Sequence, residues 1–383
     1  MSRLKKEDDS RRKPNGEGSV FQRADGRWVA QFSLGDGKKR QLSRKTEKEA
    51  WSALRKALNE VEQGVMVTGP EQTLSAFLHH WLEEIHKPTL RLSSYIKYQK
   101  LIKTYIIPEL GHLKLQKLSP QLVQAFYRRK EKQGLAPKTV NSIHGVLHKA
   151  LDTAVRWNML ARNVCDVVSP PRIIKHEIQS LTMEQAQQLL AVAHGDRLEM
   201  LLLLALVTGM RRGELLGLKW ADIDLIQGAL QIRRTLDYMA HYGYVESEPK
   251  TKSGKRGIML PSFVVEALKQ HRIQQLEQRL KVGEAWQEGD YVFTSLEGGP
   301  LNPRYLLKLF DQLLERAGLP HMRFHDLRHS AATLLLSMGV NPKIVQEILG
   351  HSTISMTMDV YSHVLPSMQR EAMGKWDDAL GSV

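Results

Sequence analysis

Six apolar residues, Leu74, Phe77, Leu78, Trp81, Leu82 and Ile85, recur at i, i+3, i+4, i+7, i+8 and i+11 without a miss. A period of 3.6 residues can be buried only as one stripe along an α-helix. Three further stretches of this kind start near Ser93, at Ser119-Pro120 and at Pro137. Ser119 supplies an N-cap and Pro120 the first helical position, and the last stretch carries Val140, Ile143, Leu147, Leu151 and Ala154 on one face. Residues 73–165 therefore read as a helical domain. Period-two alternation is confined to short runs. Ser19–Gln22, Trp28–Leu34 and Lys39–Leu42, separated by Asp25-Gly26 and Asp36-Gly37, predict a three-stranded antiparallel sheet, and Thr46 opens a helix with Ala50, Leu54, Ala57, Leu58 and Val61 that covers it. From Leu181 onward helices dominate again, beginning with the capping pattern Thr182-Met-Glu-Gln185. Strands are expected at Ala229–Thr235 and Gly257–Leu260, around the basic turn Lys250 to Arg256, with another at Tyr291–Thr294.

The predicted fold is thus multidomain and mainly α with small β-sheets. Its parts are an N-terminal three-stranded sheet plus helix at 1–64, a helical domain at 70–168 and an α+β domain at 175–383, joined by linkers around Gly69-Pro70 and Ser169-Pro170-Pro171. The single cysteine, Cys165, cannot form an internal disulfide and suits a reducing compartment, so a cytoplasmic protein is expected. The longest apolar run, Met200 to Val207, is far short of the roughly 20 residues a membrane helix needs. The charged first dozen residues do not fit a signal peptide, and no membrane partner is expected.

The formal net charge is +14, and all of it lies in the first 170 residues. Residues 1–64 hold 16 basic and 10 acidic side chains, residues 65–170 hold 15 and 7, and residues 171–383 hold 24 of each. A basic half joined to a neutral half reads as a polyanion-binding module attached to something with another task, and nucleic acid fits that description best.

Four segments of the neutral half are rich in groups that handle phosphate: TGMRRGELLGL from Thr208, the turn with Lys252, HDLRHSAATLLL from His325, and LGHSTISMTMDVYSH from Leu349. Arg211 and Arg212 fall at a helix start, where backbone N–H groups and the helix dipole already favour an anion. His325 and Arg328, three apart, share a helix face. Arginine suits the task because its planar fork binds a phosphodiester bidentately and keeps its charge. Ser330, Ser352, Ser362, Tyr361 and water are the candidate nucleophiles, and spacing alone does not choose among them.

Together these motifs resemble the tyrosine recombinases, the phage and conjugative-transposon integrases in particular. Arg211 in TGMR matches that family's first arginine, Lys252 its hairpin lysine, His325 and Arg328 its His-x-x-Arg pair, His351 in LGH its next histidine, and Tyr361 its nucleophile. Glu214 matches the acidic residue after the first arginine, with an expected orienting role. Lys252 is preferred to Lys250 and Lys255 because the TKSG context looks like the family's hairpin. The resemblance implies attack by Tyr361 on the scissile phosphorus, a 3′-phosphotyrosyl intermediate and a free 5′-hydroxyl. Arg211 and Arg328 would neutralise the nonbridging oxygens, and Lys252 would protonate the leaving oxygen.

On this reading no cofactor and no metal is needed. Histidines 325, 329 and 351 have spacing that a metal site also uses, but Arg328 beside them disfavours an ion, and His329 is read as structural. The implied partner is double-stranded DNA. The helical domain and the C-terminal domain would hold a core site, and the N-terminal sheet, through Arg27, Lys38, Lys39 and Arg40, would hold arm-type sites. A homotetramer on DNA is expected, with the tail after Pro366 as an apolar helix face for a neighbour, and a host DNA-bending protein or excision factor is a further partner. The expected role is to integrate or excise a mobile element, with the protein associated with the bacterial nucleoid during recombination. A type IB topoisomerase-like strand transferase, or an inert DNA-binding regulator on the same fold, is the alternative.

Overall fold

The structure, a computed structural model, describes residues 18–33, 39–62, 72–173, 179–249, 251–355 and 357–358. The chain divides into two units, residues 1–175 and 176–383.

The first unit contains two separate cores. Strands β1 (Ser19–Gln22), β2 (Trp28–Ser33) and β3 (Lys39–Arg44) form an antiparallel sheet in that order, with Ala30 opposite both Val20 and Leu42. Helix α1 (Glu47–Glu62), opened by Thr46 Oγ1 accepting from the Glu49 N–H at 3.3 Å, lays Ala50, Leu54 and Ala57 on Ala30 and Phe32. The second core belongs to α2 (Leu74–His80), α3 (Leu92–Leu101), α4 (Ile107–Leu110), α5 (Pro120–Lys132) and α6 (Pro137–Arg156). Ser119 Oγ caps α5 through the Leu122 N–H, as its sequence predicts. The stripe from Leu74 to Ile85 is not one regular α-helix, because Trp81–His86 widen into a π-turn in which the Lys87 N–H reaches back to Leu82 O. The turn begins at Trp81, whose indole N–H donates to Thr153 Oγ1 at 3.1 Å inside the core. Cys165 is buried in the short 3-10 turn Val164–Val167, and burial pushes its thiol up to about 12, so it behaves as a small apolar residue.

The second unit runs through α7 (Met183–Val192), α8 (Glu199–Thr208), α9 (Arg212–Leu216), five short strands, and α10 (Ser262–Val282), α11 (Pro303–Arg316), α12 (Asp326–Ser337) and α13 (Pro342–Leu349). The Thr182–Gln185 capping box forms as predicted. Helix α8 is apolar all round and is accordingly the centre of the core. Strands β4 (Ile223–Asp224), β5 (Ala229–Ile232) and β8 (Arg256–Met259) make an antiparallel sheet with Leu230 opposite Ile258 and Ile232 opposite Arg256. The expected strand through Thr235 stops at Ile232, and a hairpin follows that the sequence pattern does not predict. This is β6 (Thr235–Met239) with β7 (Gly243–Ser247), joined by the cross-strand pair Tyr238–Tyr244 with rings 5.2 Å apart. Its turn residue His241 has φ 68°, a conformation usually left to glycine or asparagine, so Gly243 at φ 73° is the one glycine that marks the turn in the sequence. Tyr291–Thr294 makes only isolated bridges, Lys219 with Tyr291 and Thr294 with Pro300.

Candidate active site

Helix α8 ends at Gly209, whose φ of 59° is left-handed. A Cβ there would lie 2.2 Å from Leu349 Cδ2, so only glycine allows the chain to turn this close to α13. The turn delivers Arg211 to the N-cap of α9, where its backbone N–H donates to Glu214 Oε2 at 2.9 Å and its Nη1 to Glu214 Oε1 at 2.7 Å. Arg211 Nη2 also reaches Gly350 O at 3.4 Å. Gly350 ends α13 at φ 66°, immediately before His351. The two glycines of the TGMR and LGH motifs thus bring two distant segments into one turn-to-turn contact.

Glu214 is not an ordinary first-turn acid. It is buried between two guanidiniums, Arg211 and Arg256, the latter at 3.2 Å from Oε2. Burial alone would raise its carboxyl, but Arg256 and then Arg211 hold it below the usual carboxylate range. Arg256 was absent from the residues expected at the site. The signal for it was present: alternation along β8 puts Arg256 in phase with Ile258, whose side chain is core, and a charge in core phase must have a buried partner.

Arg328 lies in the first turn of α12 and is as buried as the leucines around it, at 4% exposure. Its Nη1 donates to Gly209 O at 2.8 Å, while its Nη2 is buried with no hydrogen-bond partner. Burial, then the charges of Arg211 and Arg256, push its pKa down to about 9, which leaves it cationic at neutral pH. Three guanidiniums against the one carboxylate leave a formal surplus of two positive charges in a largely dehydrated site. His325 is the residue before α12 and is exposed, but its backbone is already helical (φ −67°, ψ −21°) and its carbonyl accepts from the Arg328 N–H at 3.1 Å, so it stands at the helix entrance three residues ahead of Arg328. His351 is buried, with Nδ1 2.9 Å from Thr357 Oγ1. Both imidazoles are pushed down to about 4, His325 by partial desolvation of its ring, His329 and Arg328, and His351 by burial, Arg328 and Arg211. Both are therefore neutral at pH 7.

The structure brings Arg211, Glu214, Arg328 and His351 into one locality, with His325 beside it. Lys252 opens the short 3-10 turn Lys252–Gly254, of which Gly254 O accepts from Arg256 at 3.3 Å; the Lys252 side chain, Lys250, Lys38 and Tyr361 lie outside what is described. So does the tail after Pro366. Lys255 pairs with Glu248 at 3.0 Å on the surface. Among the candidate nucleophiles, Ser330 is buried and committed, accepting from the Leu181 N–H at 2.9 Å and donating to Asp326 O at 3.0 Å. In the other unit, Arg27, Lys39 and Arg40 are exposed around β2 and β3.

Comparison with known proteins identifies the family. Residues 179–368 match the phage integrase family, and residues 73–130 match the N-terminal SAM-like domain of phage integrases. A tyrosine recombinase XerC-like protein of Caldanaerobacter subterraneus subsp. tengcongensis is 34% identical over 352 residues, spanning 87% of this chain and 90% of that one. The ICEBs1 integrase of Bacillus subtilis is 28% identical over 268 residues, 70% of this chain and 72% of its own. Among solved structures, the Tn1549 transposon integrase in complex with transposon right end DNA shares the fold at a TM-score of 0.67 and 22% identity, over 79% of this chain and 100% of that one. A lambda integrase dimer bound to a core site does so at 0.57 and 19%, over 91% and 94%. The chain therefore belongs to the phage integrase family and is a site-specific tyrosine recombinase of the phage and conjugative-transposon integrase type.

Proposed function

We propose that this recombinase cleaves and rejoins double-stranded DNA through Tyr361, with Arg211, Lys252, His325, Arg328 and His351 as the catalytic set and Glu214 orienting Arg211. The observation that carries the reading is the buried, unpartnered Nη2 of Arg328 beside Arg211, in a pocket with two surplus positive charges. Such a group is costly unless an anion completes it. A phosphodiester brings one negative charge, and the pentacoordinate transition state develops a second on the nonbridging oxygens. The site therefore matches the transition state better than the ground state, the condition for lowering the barrier.

Tyr361 Oη attacks phosphorus, the P–O5′ bond breaks, and the proton that Tyr361 loses is balanced by the one Lys252 gives to the leaving 5′-oxygen. The 5′-hydroxyl of a partner strand then attacks the phosphotyrosine and restores a phosphodiester. One ester replaces another, so neither ATP nor an external nucleophile enters. Neutral His351, held through Nδ1, offers Nε2 to a phosphate oxygen, and neutral His325 accepts or relays a proton.

In this reading the modules are 1–64 for arm-type sites, through Arg27, Lys38, Lys39 and Arg40, 70–168 and 175–383 around the core site, and four copies exchange four strands. The protein acts in the cytoplasm, on the nucleoid. Similarity to the ICEBs1 integrase and to the transposase from transposon Tn916 supports the assignment. The test is a nicked suicide substrate carrying the DNA that flanks the gene. Wild type should form a covalent protein–DNA adduct and Tyr361→Phe should bind equally well and form none. An adduct in the phenylalanine variant at wild-type yield places the nucleophile elsewhere, and none in wild type supports the inert regulator.

A further inference from the structure

Arg256 directs four of its five N–H groups at protein acceptors on three separate segments. Nη1 and Nη2 approach the two Glu214 oxygens at 3.4 and 3.2 Å, Nη1 also reaches Gly254 O at 3.3 Å, and Nε donates to Ile348 O. Its side chain is 7% exposed. So engaged, Arg256 is not a ligand for the scissile phosphate. Its weight falls on Glu214, a carboxylate 1% exposed that also holds Arg211 at 2.7 Å. Were Arg256 neutral, that carboxylate would have Arg211 as its nearest compensating charge and would cancel the charge that a phosphate needs. With Arg256 present, Glu214 is neutralised from the other side, and it orients Arg211 without extinguishing it.

We propose that Arg256 is a positioning residue for strand cleavage: it neutralises Glu214 from β8, so that Arg211 keeps its positive charge for the scissile phosphate, and it ties the Lys252 turn and the end of α13 to the same carboxylate. The inference rests on the strand-transfer reading above and adds a residue to it. It also explains why a strand whose buried face is otherwise apolar carries an arginine there.

The test uses full-length protein on a suicide substrate with either an ordinary phosphodiester or a methylphosphonate at the scissile position. Removing one phosphate charge removes most of what Arg211 offers. Arg256→Gln keeps hydrogen-bonding atoms but no charge; Arg256→Lys keeps the charge but not the fork. DNA binding by gel shift should stay within about threefold of wild type for both, because phosphate contacts elsewhere carry that affinity. Adduct formation by Arg256→Gln should fall about tenfold or more on the phosphodiester and by clearly less on the methylphosphonate, each relative to wild type on the same substrate. Arg256→Lys should recover most of the rate.

Equal losses on both substrates overturn the proposal, as does a lysine variant no faster than the glutamine one. If Arg256→Gln gives no cooperative melt, Arg256→Lys decides alone: its residual loss should be the same on both substrates, and a larger loss on the phosphodiester overturns the idea. If wild type cannot act on the neutral linkage, the lysine rescue on the phosphodiester is the deciding comparison. Failure of wild type on the ordinary substrate defeats the parent reading, whereas an active wild type matched by Arg256→Gln defeats only this one.

Discussion

Arg328 is a single side chain held in an electrostatically unfavourable state. Its guanidinium is desolvated, lies near two other arginines and leaves one nitrogen unpartnered. Replacing it with methionine keeps the volume and removes the buried charge, so Arg328→Met should be at least as stable as wild type in urea denaturation while adduct formation falls about 100- to 1,000-fold. A variant that unfolds early yet cleaves normally would contradict this view of the residue. His351 gives a second prediction, about pH. Its folded pKa of about 4 lies below the ordinary 6.5, so between those values the unfolded chain binds a proton that the folded chain refuses. Stability is unaffected by this group above pH 6.5 and is lost as the pH falls, by about 1.4 kcal/mol per unit for one such buried histidine. Denaturation midpoints of wild type and His351→Gln between pH 7.5 and 4.5 should converge on acidification, and parallel curves would rule the histidine out as the cause.

At the scale of elements, the site is assembled by turns more than by helices. Helix α9 has five residues and α13 eight, and neither would persist alone in water. They are placed by Gly209, which ends α8 just ahead of α9, and Gly350, which ends α13, both at positive φ and both too close to neighbouring chain for a side chain: a Cβ would meet Leu349 at the first and lie 2.5 Å from Ser253 O at the second. Gly209→Ala combines a left-handed backbone with a clash in the core, and should cost about 2–4 kcal/mol. It should also slow cleavage, because the Gly209 carbonyl is the acceptor for Arg328. Chemical denaturation and adduct assays on the same preparation check both halves. An alanine variant as stable as wild type would mean that α13 moves aside freely. The β6–β7 hairpin belongs to this scale too. It is tied to the body by Glu246, which pairs with Lys219 at 2.7 Å and accepts from the Tyr291 hydroxyl, and its last strand leads directly to the Lys252 turn.

For the whole molecule, the charge partition makes the clearest prediction. The excess positive charge lies in residues 1–170, while the cluster of Arg211, Arg256 and Arg328 lies in a half with no net charge. On the proposed reading, affinity and chemistry are therefore separable. Removing residues 1–64 should erase footprints at distal arm-type sites and leave the core site protected and cleavable. It should also make the salt dependence shallower, by roughly 0.9 in the log–log slope for each phosphate that the N-terminal sheet no longer neutralises. An unchanged footprint would mean that this sheet adds only nonspecific attraction. No helix among the described residues is long and apolar enough to cross a membrane.

Local pattern determined the elements themselves: the stripes on α2, α5 and α6, the caps at Ser119 and Thr182, the alternation of β1 to β3, and the motif residues Arg211, His325, Arg328 and His351 were all legible, because periodicity and capping depend on neighbours in sequence. The resemblance to integrases was legible for the same reason, since order and spacing of short motifs survive in the linear chain. What the tertiary structure decided is pairing across distance. That Glu214 lies between Arg211 and Arg256, that Arg328 hangs from the Gly209 carbonyl with one nitrogen unpartnered, and that His325 stands at the mouth of α12 depend on how α9, β8, α12 and α13 pack. Charge at a site is a sum over all neighbours in space, with a dielectric set by burial, and neither quantity is written in the spacing of residues along the chain.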